Sequence, residues 1–172
     1  MTGVETSFEY IQKPRVQTLY IPRGKFSHKG TYGHSVLIGG SYGKIGAIQL
    51  AGRACLKAGS GLVTLFVPEC GYIPLQSSFP EAMVLTDEEE DHITDISLSI
   101  RASAIGIGMG LGKEKATVTA FADFIKTTKA PMVIDADGIN ILSAHPNFLK
   151  DLPTETELTP HHKELERLIG KW

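Results

Sequence analysis

From Ser35 to Ile169 the sequence alternates short apolar runs with segments whose apolar residues follow a helical repeat. A short apolar run bounded by turn residues predicts a buried strand, and a 3.6-residue repeat predicts a helix packed through one face. Strands and helices in alternation favour a three-layer α/β/α fold around a mainly parallel sheet. The predicted strands lie near Val36, Val63, Ile105, Val133 and Leu158, with a further candidate at residues 82–85, and the predicted helices span residues 45–58, 113–126, 138–144 and 162–169.

Residues 1–25 lack this alternation, and we interpret them as a lead-in or linker. Pro14 and Pro22 interrupt the segment, although residues 16–21 are apolar enough to form a short strand. The basic, glycine-rich stretch 28–34 that follows is either a solvated loop or a segment that closes over a binding site.

Composition excludes several classes of protein. Of the 172 residues, 42% are hydrophobic and 21% charged, and the formal net charge is −2, which favours neither nucleic acid nor an anionic membrane as a partner. No apolar run is long enough to span a bilayer, and no secretory signal is recognisable. Cys55 and Cys70 predict neither a disulfide framework nor a metal site. We therefore expect a cytoplasmic protein that acts on small molecules.

Polar or glycine-rich loops follow four of the predicted strands. Because ligands of parallel α/β sheets bind beyond the carboxyl ends of the strands, these loops are expected to converge on one site. They comprise residues 39–41, 108–110, 135–137 and 159–161.

The first two of these loops are rich in glycine. Residues 39–47 run from a strand into a helix, where glycines let a ligand approach and the helix start favours an anion, although helix packing explains the glycines equally well. In the second loop Gly106, Gly108, Gly110 and Gly112 alternate across a strand end. Because glycine weakens a strand, we interpret the four as a bare surface for a flat ligand rather than as close packing of a neighbouring strand.

The third and fourth loops carry polar and ionisable side chains. Asp135 and Asn140 are candidates for holding a ligand hydroxyl or a hydrated Mg²⁺ ion, whereas Asp137 is better suited to cap the next helix. The proline before His161 keeps the chain extended, so that His161 is expected to project from the strand end. Glu164 is expected to interact favourably with the helix dipole.

Six stretches, in this order and at this spacing, resemble the ADP- or ATP-dependent NAD(P)H-hydrate dehydratases, a family with a ribokinase-like fold: HKGTYGHSVLIGGSYGKIGA, AGSGLVTLFVP, PEAMV, GIGMGLG, VIDADGIN and LTPHHKELERL. The resemblance covers residues 26–172. It implies that ADP or ATP, with Mg²⁺, phosphorylates the hydroxyl of the hydrated nicotinamide ring of NADH or NADPH, and that phosphate then leaves to restore the cofactor. It also implies that Ala47, Gly110 and His161 contact the hydrated dinucleotide, with Gly43 and Asp137 lining the same cleft.

Some features depart from the family pattern. Met109 stands where the family usually has proline, and His162 and Lys163 stand where it often has Pro-Gly, which bears on the fit around His161. The family's Lys-Gly nucleotide loop and its Gly-Thr-Gly-Asp anion hole, with the catalytic aspartate, fall beyond Trp172. Residues 26–172 are therefore expected to be an incomplete domain without activity of its own, whereas the complete protein would be a carbon–oxygen lyase.

The resemblance also bears on domain context and assembly. In many bacterial relatives an epimerase domain precedes this one, and residues 4–24 resemble the connection, so that residues 1–25 are expected to lead in from such a domain. Because an incomplete sheet exposes an edge or a face, we expect a homo-oligomer, with a tetramer as one option.

Three other functions are alternatives. A ribokinase-like small-alcohol kinase would share the architecture, but the HKGTYG and TPHHKE stretches argue against it. A non-catalytic dinucleotide-binding module is consistent with the absent catalytic end. A hydride-transferring oxidoreductase is least favoured, because no Gly-x-Gly-x-x-Gly motif opens a helix after the first strand.

Overall fold

The computed structural model of the chain describes residues 10–171 and contains a six-stranded sheet. Every neighbouring pair of strands is parallel, and the strand order is β3-β2-β1-β4-β5-β6. The predicted parallel α/β architecture is thus confirmed. The strands are β1 His34–Ile38, β2 Leu62–Val67, β3 Met83–Thr86, β4 Ala104–Ile107, β5 Met132–Ile134 and β6 Thr156–Leu158. The helices are α1 Lys13–Leu19, α2 Ile45–Ala58, α3 Tyr72–Ser78, α4 Lys115–Thr127, α5 Asp137–Ala144 and α6 His162–Ile169.

The sheet has two apolar faces because successive side chains of a strand point to opposite sides. On one side, the α4 face, Ile38, Ile107 and Ile134 are fully buried in a cluster with Phe121 of α4 and Leu142 of α5. On the other side, the α2 face, a separate cluster joins β1 and β2 to the helices α2 and α3. Its buried members include Leu37, Val63, Leu65, Ile48 and Leu75.

The α2 face is only partly covered. Val133 in β5 is 38% exposed, whereas its neighbours in the strand, Met132 and Ile134, are 1% and 0% exposed on the opposite face. Across the sheet Val133 pairs in register with Gly106 of β4 and with the exposed Glu157 of β6. Val133 is therefore only partly covered on this face by the described residues.

Helix α2 has the bounds that the apolar repeat predicts. It ends at Gly59, whose φ of 120° lies in a region that glycine adopts without steric cost. Helix α4 starts at Lys115, two residues later than predicted, and α5 starts one residue earlier. Helix ends commonly shift by this much because the apolar repeat does not extend into the first turn.

The predicted strand at residues 16–21 is wrong, because α1 occupies Lys13–Leu19. Pro14 lies in the first turn of this helix, where its fixed φ is favourable and its missing N–H is not needed. A helix bonds its own backbone groups, whereas a strand needs a neighbour. Residues 1–9 of the predicted lead-in, and Trp172, lie outside the described residues.

The stretch 28–34 does not close over the candidate site. Lys29–Tyr32 form a short 3₁₀ helix before β1, at the amino edge of the sheet. There the N–H of Gly61 donates to the carbonyl of Tyr32, and the N–H of Leu62 donates to that of Gly33. The four polar loops lie at the opposite, carboxyl edge, so the lid interpretation of this segment is wrong.

Candidate functional site

Three of the four predicted loops are joined by hydrogen bonds at the carboxyl edge of the sheet. The N–H of Gly40 donates to the carbonyl of Met109 at 2.9 Å, and the hydroxyl of Ser41 donates to the carbonyl of Gly110 at 2.9 Å. The loop after β4 is joined to the turn after β5 through Asp137, whose Oδ2 accepts from the N–H of Gly112 at 3.0 Å. The predicted convergence therefore holds for the loops after β1, β4 and β5.

Lys44 lies where these three loops meet. Its main chain starts α2, and its ammonium group is 3.8 Å from Oδ2 of Asp137. The Cα of Gly110 packs so closely on Lys44 that an added Cβ would be 2.8 Å from the carbonyl oxygen of Lys44. The same Cβ would be 3.1 Å from that of Ala47. Lys44 thus links Ala47, Gly110 and Asp137, three of the residues implied by the resemblance, although the sequence did not single it out.

The row of glycines at the end of β4 and in the loop that follows is explained largely by packing. A Cβ on Gly106 would be 2.6 Å from Cδ2 of Leu37, and one on Gly108 would be 2.0 Å from the carbonyl oxygen of Asp135. Gly108, Gly110 and Gly112 also have positive φ angles, which other residues rarely adopt. The interpretation of the whole row as a bare ligand surface is therefore wrong, since the protein itself occupies the space at Gly106 and Gly108.

Open space lies instead at the start of α2. A Cβ on Gly43 or on Gly46 would meet no atom within 4 Å. Gly43 has a φ of 78°, so its backbone conformation alone accounts for glycine there. Gly46 is helical, so neither its backbone conformation nor contact with a neighbouring atom requires glycine. Ala47, the next residue, is exposed. This surface is free for a ligand to approach the backbone of the first loop.

Asp137 does not cap α5 as predicted. The N-cap residue is Ala136, and Asp137 is the first residue of the helix. Its carboxylate is directed to the loop after β4, where it bonds Gly112 and pairs with Lys44. Ala136 has a φ of 47°, which is unfavourable for alanine and places strain at this strand-to-helix turn.

The fourth loop lies beside the turn after β5, because β6 is the neighbour of β5. His161 is the N-cap of α6: its Nδ1 accepts from the N–H of Lys163 at 3.2 Å, and its own N–H donates to Oε2 of Glu164 at 3.0 Å. Glu164 is buried, and its Oε1 lies 3.1 Å from Nε2 of His161, consistent with the expected role at the helix start. The imidazole remains 62% exposed, so one side of it is open to a ligand.

Asn140 and Asp135 have structural partners. The side-chain oxygen of Asn140 accepts from the guanidinium of Arg167 at 2.7 Å, which ties α5 to α6. The main chain of Asp135 bonds that of Ile107 and Gly138, which fixes the turn after β5. The side-chain oxygen of Asn140 thus joins two helices, and the ligand roles of Asn140 and of the Asp135 carboxylate stay predictions.

An acidic loop borders the first loop. The N–H of Tyr42 donates to the carbonyl of Asp91 at 2.7 Å. Within this acidic loop the buried Asp87 accepts hydrogen bonds from the N–H groups of Glu88, Thr94 and Asp95. Burial alone would raise the pKa of Asp87, but these bonds to the ionised carboxylate outweigh it and hold the pKa below its usual range.

Neither a metal cluster nor a membrane span is found in the described part of the chain. Across residues 10–171, no three His, Cys, Asp or Glu side chains come together as metal ligands, and no helix has the length and apolarity needed to cross a bilayer. At the loop junction the carboxylate of Asp137 is already engaged by an N–H group and an ammonium group. These residues do not fit a protein-held Mg²⁺ ion.

The clefts at the other edge of the sheet are separate from the candidate site. One of 760 Å³ is lined by residues that precede β4 and β5, including Ala102, Ser103 and Pro131. These residues lie at the amino edge, and none of the five predicted site residues contributes to the cleft.

A parallel sheet with its polar loops at the carboxyl edge is shared by several classes of α/β protein, and a solved relative identifies the class here as ribokinase-like. A ribokinase-like protein from Enterococcus faecalis, at 31% identity, superimposes with a TM-score of 0.73 over 86% of this chain and 51% of its own. The model of the NAD(P)H-hydrate dehydratase family matches residues 35–172, and the chain belongs to that family.

Two further relatives are named for their activity. The ADP-dependent (S)-NAD(P)H-hydrate dehydratase of Staphylococcus aureus is 37% identical over 94% of this chain and 58% of its own length. The ADP/ATP-dependent NAD(P)H-hydrate dehydratase of Bacillus subtilis, co-crystallised with ATP and Mg²⁺, is 27% identical with a TM-score of 0.74, over 92% of this chain and 55% of its own. The chain thus spans little more than half the length of these relatives.

Proposed function

We propose that this chain forms the dinucleotide-binding part of an enzyme that dehydrates hydrated NADH or NADPH at the expense of ADP or ATP with Mg²⁺. The observation that carries the proposal is the junction of the loops after β1, β4 and β5, in a member of the dehydratase family. There Ala47 and Gly110 lie side by side, and Gly43 leaves open space beside them. These residues, with Asp137 and His161, are the proposed contacts of the hydrated dinucleotide.

The described chain offers groups for binding but few for chemistry. Dehydration requires the ring hydroxyl to become a good leaving group, and phosphoryl transfer achieves this through positioning and stabilisation of developing charge. At the loop junction Asp137 is held by Gly112 and Lys44, and the imidazole of His161 is held by Lys163 and Glu164. We therefore propose that the 172-residue chain binds the dinucleotide without turnover, and that the nucleotide and Mg²⁺ belong to the complete protein.

Binding at the loop junction can be tested at Ala47. We expect Ala47→Val to weaken NADPH binding about tenfold, because two methyl groups would enter the space beside Gly110. Ala54, also exposed and two turns further along α2, provides the matched control Ala54→Val, which should leave affinity unchanged. Isothermal titration of the three proteins with NADPH measures the difference. Equal affinities in the two variants would contradict the proposed site.

The same preparations serve for the turnover assay. With NADPH hydrate, ATP or ADP, and Mg²⁺, we expect no return of dihydronicotinamide absorbance from the 172-residue chain. Joining it to the remaining half of a relative such as the S. aureus enzyme should restore turnover. Turnover by the purified 172-residue chain alone would show that its own residues supply the acid and base.

The proposal extends to the cellular location, the self-association and the domain organisation of the enzyme. A chain with small net charge and an apolar area around Val133 is consistent with a cytoplasmic protein that forms homo-oligomers. Residues 1–25 are proposed to connect it to a preceding epimerase domain, and residues 26–172 to be the first part of the dehydratase domain.

A further inference from the structure

Lys44 has a main chain fixed by the loops around it. Its N–H donates to the carbonyl of Ser41 at 2.7 Å, and its carbonyl accepts from the N–H of Ala47 at 3.1 Å. Gly110 packs against the same carbonyl. The base of the lysine side chain is therefore held at the loop junction, and only the side chain beyond it is free to move.

The ammonium group of Lys44 is kept near the junction without being fully engaged. It lies 3.8 Å from Oδ2 of Asp137, which is longer than a normal hydrogen bond. That oxygen already accepts the N–H of Gly112 at 3.0 Å. The lysine side chain is 51% exposed, so its three N–H donors remain available to a ligand.

Lys44 also offsets the negative charge of Asp137 at the loop junction. A pyridine dinucleotide carries an anionic pyrophosphate, and the carboxylate of Asp137 would repel it. An ammonium beside that carboxylate offsets the repulsion and offers a strong donor to a phosphate oxygen. Close to Lys44 in sequence, a Cβ on Gly43 or on Gly46 would meet no atom within 4 Å, so the backbone around the lysine is open.

We propose that Lys44 binds a phosphate group of the dinucleotide and that Asp137 positions its ammonium group. This inference rests on the proposed function and deepens it. Lys44 then determines specificity, because it makes the site select phosphorylated pyridine nucleotides over the corresponding nucleosides.

The test compares two ligands that share the reduced ring. NADPH carries phosphate groups, whereas dihydronicotinamide riboside has none. We expect Lys44→Met to weaken NADPH binding about tenfold, as loss of one charge-assisted hydrogen bond at a half-exposed site does, and to leave riboside binding unchanged. Lys44→Arg should keep NADPH affinity within about threefold. Added salt should weaken NADPH binding by Lys44→Met less than binding by the unaltered chain.

Lys57, exposed in the last turn of the same helix, provides the matched control Lys57→Met. It should bind both ligands as the unaltered chain does. Equal NADPH affinities in Lys44→Met and Lys57→Met would overturn the inference. An equal loss of NADPH and riboside affinity in Lys44→Met would also overturn it, because Lys44 would then act through the geometry of the loop. If the unaltered chain bound neither of these ligands nor NADPH hydrate, the proposed function would fail and this inference with it.

Discussion

At the scale of single residues, Gly46 is the glycine of α2 that packing does not explain. It is helical, and a Cβ there would meet no atom within 4 Å. Gly52, in the same helix, is buried, and a Cβ there would be 2.8 Å from Cε1 of Phe79 and 2.9 Å from Cδ2 of Leu65. A side chain is thus excluded by neighbouring atoms at Gly52 but not at Gly46, and substitution of each by alanine distinguishes the two positions.

We expect Gly46→Ala to raise the free energy of unfolding by about 0.5–1 kcal/mol, because alanine loses less backbone entropy in a helix. Gly52→Ala should lower it by about 1 kcal/mol, because the added methyl group overpacks the core. Urea denaturation measures both changes. A gain in stability together with weaker NADPH binding in Gly46→Ala would show that glycine serves the ligand there. A lower free energy of unfolding in Gly46→Ala would contradict the finding that a Cβ at this position meets no neighbouring atom.

The sequence predicted residue roles unevenly. Glu164 has the expected role because helix capping depends on neighbours along the chain. Gly106 and Gly108 were misinterpreted because the residues that pack against them, Leu37 and Asp135, are distant in sequence. Lys44 was missed for the same reason, since its contact with Asp137 exists only once β1, β4 and β5 are adjacent.

At the scale of elements, Asp87 organises the acidic loop between β3 and β4. It accepts hydrogen bonds from N–H groups on both sides of the loop, at Glu88 and at Thr94 and Asp95. Since these bonds favour the ionised carboxylate, the pKa of Asp87 in the folded state is below its value in the unfolded chain. The stabilisation is fully present above the unfolded pKa and is lost as pH falls through the folded pKa.

We expect Asp87→Asn to lower the free energy of unfolding at pH 7 by about 1–3 kcal/mol, because the three N–H groups that it accepts from lose an ionised acceptor. The difference from the unaltered chain should shrink on acidification below about pH 4, where the unfolded carboxyl becomes protonated. Asp91→Asn, an exposed position in the same loop, is the control and should have little effect. Urea denaturation at several pH values measures the difference in the free energy of unfolding between the variant and the unaltered chain. A difference that grew towards acidic pH would contradict this account.

Elements with a strong repeat were predicted well, and those without one were not. The apolar repeat of α2 extends over the whole helix and marks both of its ends. Helix α1 was mistaken for a strand because four apolar residues in a short exposed segment carry no periodicity that separates the two structures. For the stretch 28–34 a solvated loop and a segment over the site both remained open, because sequence does not show which edge of a sheet a loop occupies.

At the scale of the whole molecule, strand and helix alternation predicted the parallel sheet, and its carboxyl-edge loops predicted where the site lies. Alternation does not show which face each helix covers. In the structure α2 and α3 pack with β1 and β2 on one face, whereas on that face Val133 of β5 stays exposed. A half-exposed valine in the interior of a sheet is a surface that another polypeptide can bury.

We expect the chain to associate with itself through the surface around Val133, and Val133→Lys to weaken that association. Lysine there should be tolerated, because the residue in register on β6 is the exposed Glu157 and opposite charges across a pair of strands are favourable. Leu50→Lys, at a site 71% exposed on α2, introduces the same charge at another apolar position and serves as the control. Sedimentation velocity over a range of protein concentrations measures the association, and urea denaturation verifies that both variants remain folded.

If Leu50→Lys alone reduced the association, the interface would lie on α2 instead of on the sheet. A monomer at all concentrations would mean that the surface around Val133 does not bind a second copy.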